Sequence, residues 1–434
     1  AEAPSEQVAV LGVISHELLT DPALGDLLSA ADSEAGSLDP WQAANLREMR
    51  RQWRHATALD AGLVEARSRA SSACEMIWRS ARADNDFAAL APSLAEVVKL
   101  TREVATAKAA AFGTSPYDAL LDEYEPDGKS ATIDRIFDDL VAFLPGLVDR
   151  ALAAAARHPP ALPLAGPFPI AAQCALGLQF MEALGFDFHH GRLDVSLHPF
   201  TGGVPDDVRI TTRYAEENFT RALMGVLHET GHALYERGLP ADWRQQPVGQ
   251  ARGMALHESQ SLLIEMQVCR GPAFMAYAAP LMRQAFNGQG PAWDADNLGR
   301  IYRRVARSLI RVDADEVTYP LHVILRYRLE RAMLAGDLAV KDLPGAWRDG
   351  MRDLVGIVPN DDRDGCMQDI HWPGGSIGYF PTYTLGALAA AQLFAAATKQ
   401  DDSILAGLGR VNFKPLLAWL RAEVHCLGSR YARE

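Results

Sequence analysis

His228, Glu229 and His232 carry the most specific chemistry in this chain of 434 residues, in the string His228-Glu229-Thr230-Gly231-His232. Apolar spacing predicts one long helix over Arg213–Arg237, with Gly238 and Pro240 as its stop. Residues four apart on a helix rise about 6 Å along its axis and project from one face. Two imidazoles so placed can fill two corners of a tetrahedral metal site. Glu229, one residue past the first imidazole, reads as the general base for a water at that metal. The ordinary alternative is a pair of surface histidines on an amphipathic helix.

A hydrolytic metal site takes a third protein ligand and leaves a position for water. His257-Glu258-Ser259-Gln260-Ser261 lies far enough downstream for the chain to leave the first helix, turn and return, at the start of a helical run over Leu262–Cys269. Either His257 or Glu258 can complete the site. Adjacent helical residues point about 100° apart, so only one of them faces the metal, and spacing does not choose between them.

The elements that must position these residues are mostly helical. Three-and-four apolar spacing marks 37–59, 62–81, 87–112, 134–158 and 169–184, then 297–312, 319–335, 340–354, 384–399 and 414–431. Leu193–His198 and Val208–Tyr214 alternate instead and flank Gly202-Gly203-Val204-Pro205, which predicts a small antiparallel hairpin set into a helical body. With no low-complexity linker, one domain over 1–434 is expected: N-terminal helices to about 190, the β element at about 193–214, then the metal-site helices and the C-terminal part.

Composition sets the outer bounds. The net charge of -13 argues against a nucleic-acid partner. No apolar run reaches the roughly 18–20 residues that span a bilayer, and the longest, Leu385–Thr398, reads as a buried core helix. Residues 1–6 lack the basic stretch and apolar core of a signal peptide. Five scattered cysteines without CxxC spacing suit a reducing, cytoplasmic setting.

Taken together, the motifs resemble the carboxypeptidase Taq family of metallocarboxypeptidases. His228–His232 and His257–Gln260 are joined by His198-Pro199-Phe200, by Asp207-Val208-Arg209-Ile210-Thr211 matching DxRxT, by Gly365–Trp372 matching (I/G)xxQDxHW, and by Gly374–Phe380 matching GxxxxYF. Softer likeness runs from about Gln7 to the C-terminus, as in Tyr117–Pro126. The family usually carries a further N-terminal helical stretch with a Trp-Asp and Met-Pro pattern, expected to lie before the first residue here.

The resemblance implies an all-α saddle with a deep central groove and a small sheet beside the active site, and a homodimer. It makes Glu258 the third ligand of one zinc ion, for which cobalt or manganese are accepted substitutes. The substrates implied are peptides with a free C-terminus, cut one residue at a time with broad specificity and proline disfavoured. Such an enzyme must grip a terminal carboxylate, which a guanidinium does bidentately. Arg209 is the first candidate, with a salt bridge to Asp207 as its ordinary alternative; Arg326, which interrupts an apolar run, is the second. Likeness to related helical zinc peptidases makes His371 and either Tyr379 or Tyr383 the donors to the oxyanion. Asp369 is a candidate to orient His371 or a ligand, and His198 and His257 are candidates to line the cleft. The alternatives are an oligopeptidase that releases dipeptides or cuts internally, and a non-catalytic peptide-binding scaffold.

Overall fold

The computed structural model describes residues 2–196, 199–410 and 412–432. His198, a candidate cleft residue, lies outside them. The chain divides into two compact units, one formed by residues up to Ala151 with Ala306–Thr384, the other by Leu152–Val305 with Leu385–Tyr431.

The first unit is built from α1 (Glu2–Leu19), α2 (Pro22–Ser33), α3 (Pro40–Thr57), α4 (Ala61–Asp84), α5 (Phe87–Phe112), α6 (Pro116–Tyr124) and most of α7 (Ser130–Ala155). Their starts are set by short polar side chains that accept orphan backbone N–H groups. Asp39 makes a capping box with Gln42 at α3, Asp60 and Asp86 cap α4 and α5, and Ser115 caps α6. The same unit later contains α13 (Tyr319–Ala335) and α14 (Leu343–Leu354). Helix α13 is buried over most of its surface, with Arg328 exposed, and it carries a polar stripe at four-residue spacing: His322, Arg326 and Glu330, each 0% exposed.

That stripe holds an irregular segment, 364–380, in which turns replace helix and strand. Arg326 Nε donates to Asp369 Oδ2 at 2.6 Å. Glu330 accepts from Trp372 Nε1 and from the Gly378 N–H, both at 3.2 Å, and from the Tyr117 hydroxyl at 2.5 Å. Trp78 Nε1 adds a bond to the Met367 carbonyl at 2.8 Å. These bonds tie the buried loop to α13 and to α4, while both ring nitrogens of His322, Nη2 of Arg326 and Nδ1 of His371 have no hydrogen-bond partner among the described residues.

The second unit comprises α8 (Ile170–Leu184), a three-stranded sheet, α9 (Phe219–Gly238), α10 (Met254–Leu262), α11 (Pro272–Ala285), α12 (Ala295–Tyr302), most of α15 (Pro381–Gln400), α16 (Ser403–Leu408) and α17 (Lys414–Glu423). Helix α10 runs on as a π-helix over Leu263–Cys269. An aromatic group of Phe168, Phe219, Phe286 and Trp293 forms part of the core, with Phe219 and Trp293 stacked at 5.8 Å.

The sheet corrects the sequence reading. Strand β3 (Asp207–Thr212) is central; it pairs in parallel with β1 (Gly191–Val195) and antiparallel with β2 (Phe200–Val204). The two segments read as a hairpin are therefore parallel neighbours. Gly202-Gly203, read as the turn, belongs to a strand of its own, and the hairpin turn is only Pro205-Asp206. Alternation along β3 sends Val208 and Ile210 onto α9, against Val226 and Ala233, and leaves Arg209 on the open side. Burying two such side chains is worth about 1.5–3 kcal/mol each, which fixes β3 to the helix carrying His228 and His232.

Three helix limits also differ from expectation. Helix α9 begins at Phe219, not Arg213, because the Asn218 side chain caps it by accepting from the Thr220 N–H at 2.9 Å. Helix α12 stops at Tyr302 instead of continuing to 312; beyond it Asp315 accepts from the backbone of Ala306, Val317 and Thr318, which competes with helix formation. Helix α17 ends at Glu423, after which Ser429 bonds to the carbonyls of Val248 and Gln250.

Burial pushes the Glu330 carboxyl up to about 7, against the three bonds that favour its charge. A carboxyl raised on folding binds its proton more tightly in the native state, so its contribution to stability falls as pH rises from the ordinary carboxyl range through 7. Relative to Glu330→Gln, the wild type should lose on the order of 3 kcal/mol between pH 4.5 and 8, read from urea midpoints. A difference that stays flat across that range would contradict this reading of Glu330.

Candidate active site

Within the second unit, three side chains converge. His228, His232 and Glu258 each offer a donor atom, and these atoms lie within 4.8 Å of one another. Glu258 divides its two oxygens between the imidazoles: Oε1 is 3.9 Å from His228 Nε2, and Oε2 is 3.4 Å from His232 Nε2. The rings stand edge to face with centroids 5.0 Å apart. Two imidazole nitrogens and a carboxylate are a donor set suited to a divalent first-row ion with an open position.

The approach of α10 to α9 makes this possible. A Cβ on Gly231 would sit 2.5 Å from the Gln260 carbonyl oxygen and 2.6 Å from the Ser261 Cα, so the helices meet where one has no side chain. On the other side of α10, a Cβ on Gly386 of α15 would lie 2.8 Å from the Glu258 Cβ. Glu258 meets Gly386 directly, while Gly231 meets the α10 backbone at Gln260 and Ser261.

The far nitrogens of both imidazoles are also engaged, which settles which nitrogen each presents. His228 Nδ1 is 2.9 Å from Glu265 Oε2. Glu265 comes from the π-helix and pairs with Arg270 as well. Burial lowers the affinity of His228 for a proton, but Glu265 and Glu258 outweigh it and hold the group up at about 10. His232 Nδ1 contacts His257 Nδ1 at 2.7 Å, and His257 Nε2 contacts Glu236 Oε1 at 2.8 Å. His257 thus sits behind His232, while its neighbour Glu258 faces the donor cluster. Glu265 and Glu236 went unnoticed in the sequence, although Glu265 follows Glu258 by seven residues, two helical turns, and Glu236 follows His232 by four.

Glu229, buried beside the triad, is held by strand β2: the Thr201 hydroxyl contacts its Oε2 at 2.7 Å and its carbonyl at 3.0 Å. Arg209 is about half exposed and clasps Asp207 in the same strand, with Nη2 to Oδ2 at 2.7 Å. That pairing holds the Asp207 carboxyl below its usual range.

The remaining candidates belong to the first unit. His371 Nε2 is 2.9 Å from the Tyr383 hydroxyl, and the Tyr379 and Tyr383 rings meet at 5.2 Å. Burial pushes His371 down to about 4, although Asp369 opposes the shift, so its imidazole is neutral at neutral pH. Asp369 is clasped from two sides. Arg326 takes Oδ2, and Arg311, which the sequence reading passed over, takes Oδ1 through Nε at 3.1 Å and Nη2 at 2.8 Å. Arg326 is 0% exposed and stacks on Trp347 at 4.6 Å, so its guanidinium serves the 364–380 segment.

Two outcomes follow for the metal centre. Gly231→Ala should cost about 1–3 kcal/mol through overpacking and abolish stoichiometric metal, measured by thermal unfolding and elemental analysis; a fully metallated, unshifted variant would refute the close-contact argument. His257→Ala and Glu265→Gln should each weaken metal binding about 10–100-fold in competition with a chromophoric chelator, by loosening a ligand ring. Unchanged affinity in both would show that these partners do not orient the histidines.

Comparison with known proteins places the chain. The model of the Carboxypeptidase Taq (M32) metallopeptidase family matches residues 1–434. Thermostable carboxypeptidase 1 of Thermus thermophilus is 40% identical over 98% of this chain and 85% of its own length. Carboxypeptidase 1 of Bacillus subtilis is 36% identical over 83% of this chain and 71% of its own length. Among solved structures, metallocarboxypeptidase 1 of Trypanosoma cruzi superposes with a TM-score of 0.94 at 39% identity, covering 99% of this chain and 87% of the other. The M32 carboxypeptidase of Deinococcus radiodurans gives 0.90 at 36% identity, covering 99% and 86%. With its donor triad, its buried glutamate and these relatives, the chain belongs to the carboxypeptidase Taq family and is a metallocarboxypeptidase, a hydrolase of peptides that works with a divalent metal ion.

Proposed function

We propose that this protein is a zinc carboxypeptidase that removes single residues from peptides with a free C-terminus, with His228, His232 and Glu258 as the metal ligands. The observation that carries the proposal is the convergence of those three side chains around a shared space beside Glu229. When bound there, zinc supplies Lewis acidity toward a water and toward the peptide carbonyl. Glu229 takes the proton from the attacking water and returns it to the leaving amine; Thr201 keeps its carboxylate turned to that task. Glu265 and the His257–Glu236 pair fix the two imidazoles so that no reorganisation is needed during the reaction.

For the oxyanion, we assign donation to His371 and Tyr383, a neutral imidazole already bonded to a phenol; Tyr379 packs against the same phenol. Asp369 positions their segment rather than touching substrate. Of the two arginine candidates for the terminal carboxylate, accessibility supports Arg209, whose exposed link to Asp207 is cheap to exchange, over the enclosed Arg326. Broad specificity with proline disfavoured, and a homodimer of chains that each act as one peptidase domain, are taken from the family resemblance. Five unpaired cysteines support a reducing compartment, the cytoplasm. No helix among the described residues is long and apolar enough to cross a membrane.

Mass spectrometry of a free-acid peptide and its C-terminal amide, incubated with zinc-loaded protein, tests this reading. The expected result is a ladder losing one residue at a time from the free acid only, stopped by chelator and slowed about 10²–10⁴-fold by Glu229→Gln. Dipeptide or internal cuts in both peptides would assign an oligopeptidase instead, and intact peptides with fully metallated protein would assign a binding scaffold.

A further inference from the structure

The first unit contains a cavity of about 700 Å³ that the peptidase reading does not use. One face of α4 forms a wall of it: Arg67, Ser68, Ser71, Ser72 and Glu75, spaced three and four apart. Lys108 of α5, Glu123 of α6 and Gly374 line it further, with Leu19 and Leu59 as apolar surface.

The charges around it are matched with one exception on the positive side. Arg51 pairs with Glu48 at 3.0 Å and donates to the Asp122 carbonyl at 3.1 Å. His55 Nε2 meets Asp122 Oδ2 at 2.8 Å, and Lys108 is held by Glu123. Arg67 has no carboxylate partner among the described residues; its Nη2 makes only a long bond to the Gly375 carbonyl, at 3.4 Å. Ser71 Oγ, on the next turn, is shielded from solvent and has no hydrogen-bond partner. Both converge on one place: Ser71 Oγ and Arg67 Nε lie 2.9 and 3.7 Å from where a Cβ on Gly375 would stand. Glu75, of opposite sign, reaches the neighbouring residue of the same turn: its Oε1 lies 3.0 Å from where a Cβ on Gly374 would stand.

A guanidinium without an anion, a shielded hydroxyl without a partner and an adjacent buried ammonium share one chemical complement, an oxyanion. We propose that this cavity is a second ligand site, for a small carboxylate- or phosphate-bearing molecule whose oxyanion is held by Arg67 and Ser71 with Lys108 behind them. The site stands independently of the peptidase reading, since none of these side chains is assigned to metal, base or oxyanion donation. It does adjoin the Gly374-Gly375 turn, which separates His371 from Tyr379. A ligand that draws Arg67 from the Gly375 carbonyl therefore acts on the segment that carries both.

Lys108 supplies a second signature. Burial, and next Arg67, lower its pKa to about 7, against Asp122, which raises it. The groups facing it are Arg51 and His55 from α3, Arg67 and Glu75 from α4, and Asp122 and Glu123 from α6. An arriving anion favours the charged ammonium, so binding near neutral pH takes up a proton.

Isothermal titration of the metal-loaded protein with inorganic phosphate and, separately, with acetate tests the site, using wild type, Arg67→Gln and Ser71→Ala. The expected result is saturable binding by one or both anions, weakened about tenfold or more by Arg67→Gln and less by Ser71→Ala, as loss of a charged and a neutral hydrogen bond requires. The arm that saturates identifies phosphate or carboxylate as the natural chemistry. Titrations at pH 7.5 in two buffers of different ionisation heat should report proton uptake on binding. Ser71→Ala, which removes a single unpartnered hydroxyl, keeps the test interpretable should Arg67→Gln unfold. No saturable binding by either anion, or binding that both folded variants leave unchanged, as an anion on the metal itself would be, overturns the proposal.

Discussion

The metal centre depends on two helices touching at a residue that has no side chain. A Cβ on Gly231 would fall well inside contact distance of the α10 backbone, so the line that places Glu258 between His228 and His232 is open only to glycine. The requirement repeats on the opposite flank, where Gly386 of α15 leaves room for the Glu258 stem. Close packing of the Glu258 stem against Gly386 restricts its rotamers, which is how a protein holds a ligand before its ion arrives. The cost is a carboxylate and two imidazoles out of water, offset by Glu265, Arg270, His257 and Glu236 around them.

The first unit solves a related problem with polar pairing instead of glycine contacts. The 364–380 segment has no regular hydrogen-bond ladder, yet it sits against the buried polar stripe of α13. Asp369 between Arg311 and Arg326, and Glu330 beneath Trp372 and Gly378, replace the missing ladder. Removing one member of such a network leaves a buried charge uncompensated, so these residues matter to the segment as a set. Burial, with Arg311 and Arg326 adding to it and Asp369 opposing, keeps the His371 imidazole neutral.

Much of this was legible in the sequence because it is local. The four-residue spacing of His228 and His232, the stop after Arg237 and the helical runs all follow from periodicity. The choice of Glu258 over His257 was not, since spacing leaves both open; the resemblance made it, and the geometry has Glu258 facing both imidazoles while His257 backs His232. What escaped is mainly non-local. Strand order in the sheet depends on β2, whose Gly202-Gly203 imitates a turn. Arg326 looked like a ligand for substrate because a cation in an apolar run needs a partner, and its partner, Asp369, lies 43 residues away. The early start predicted for α9 failed on a single capping side chain, Asn218.

Anomalous diffraction from crystals of the zinc-loaded protein, recorded on either side of the zinc absorption edge, tests the central claim most directly. One strong peak per chain is expected, bounded by Nε2 of His228, Nε2 of His232 and the Glu258 carboxylate, at about 2.0–2.2 Å from each. A peak bounded by His257 instead of Glu258, or none near these side chains in crystals of active protein, would contradict it.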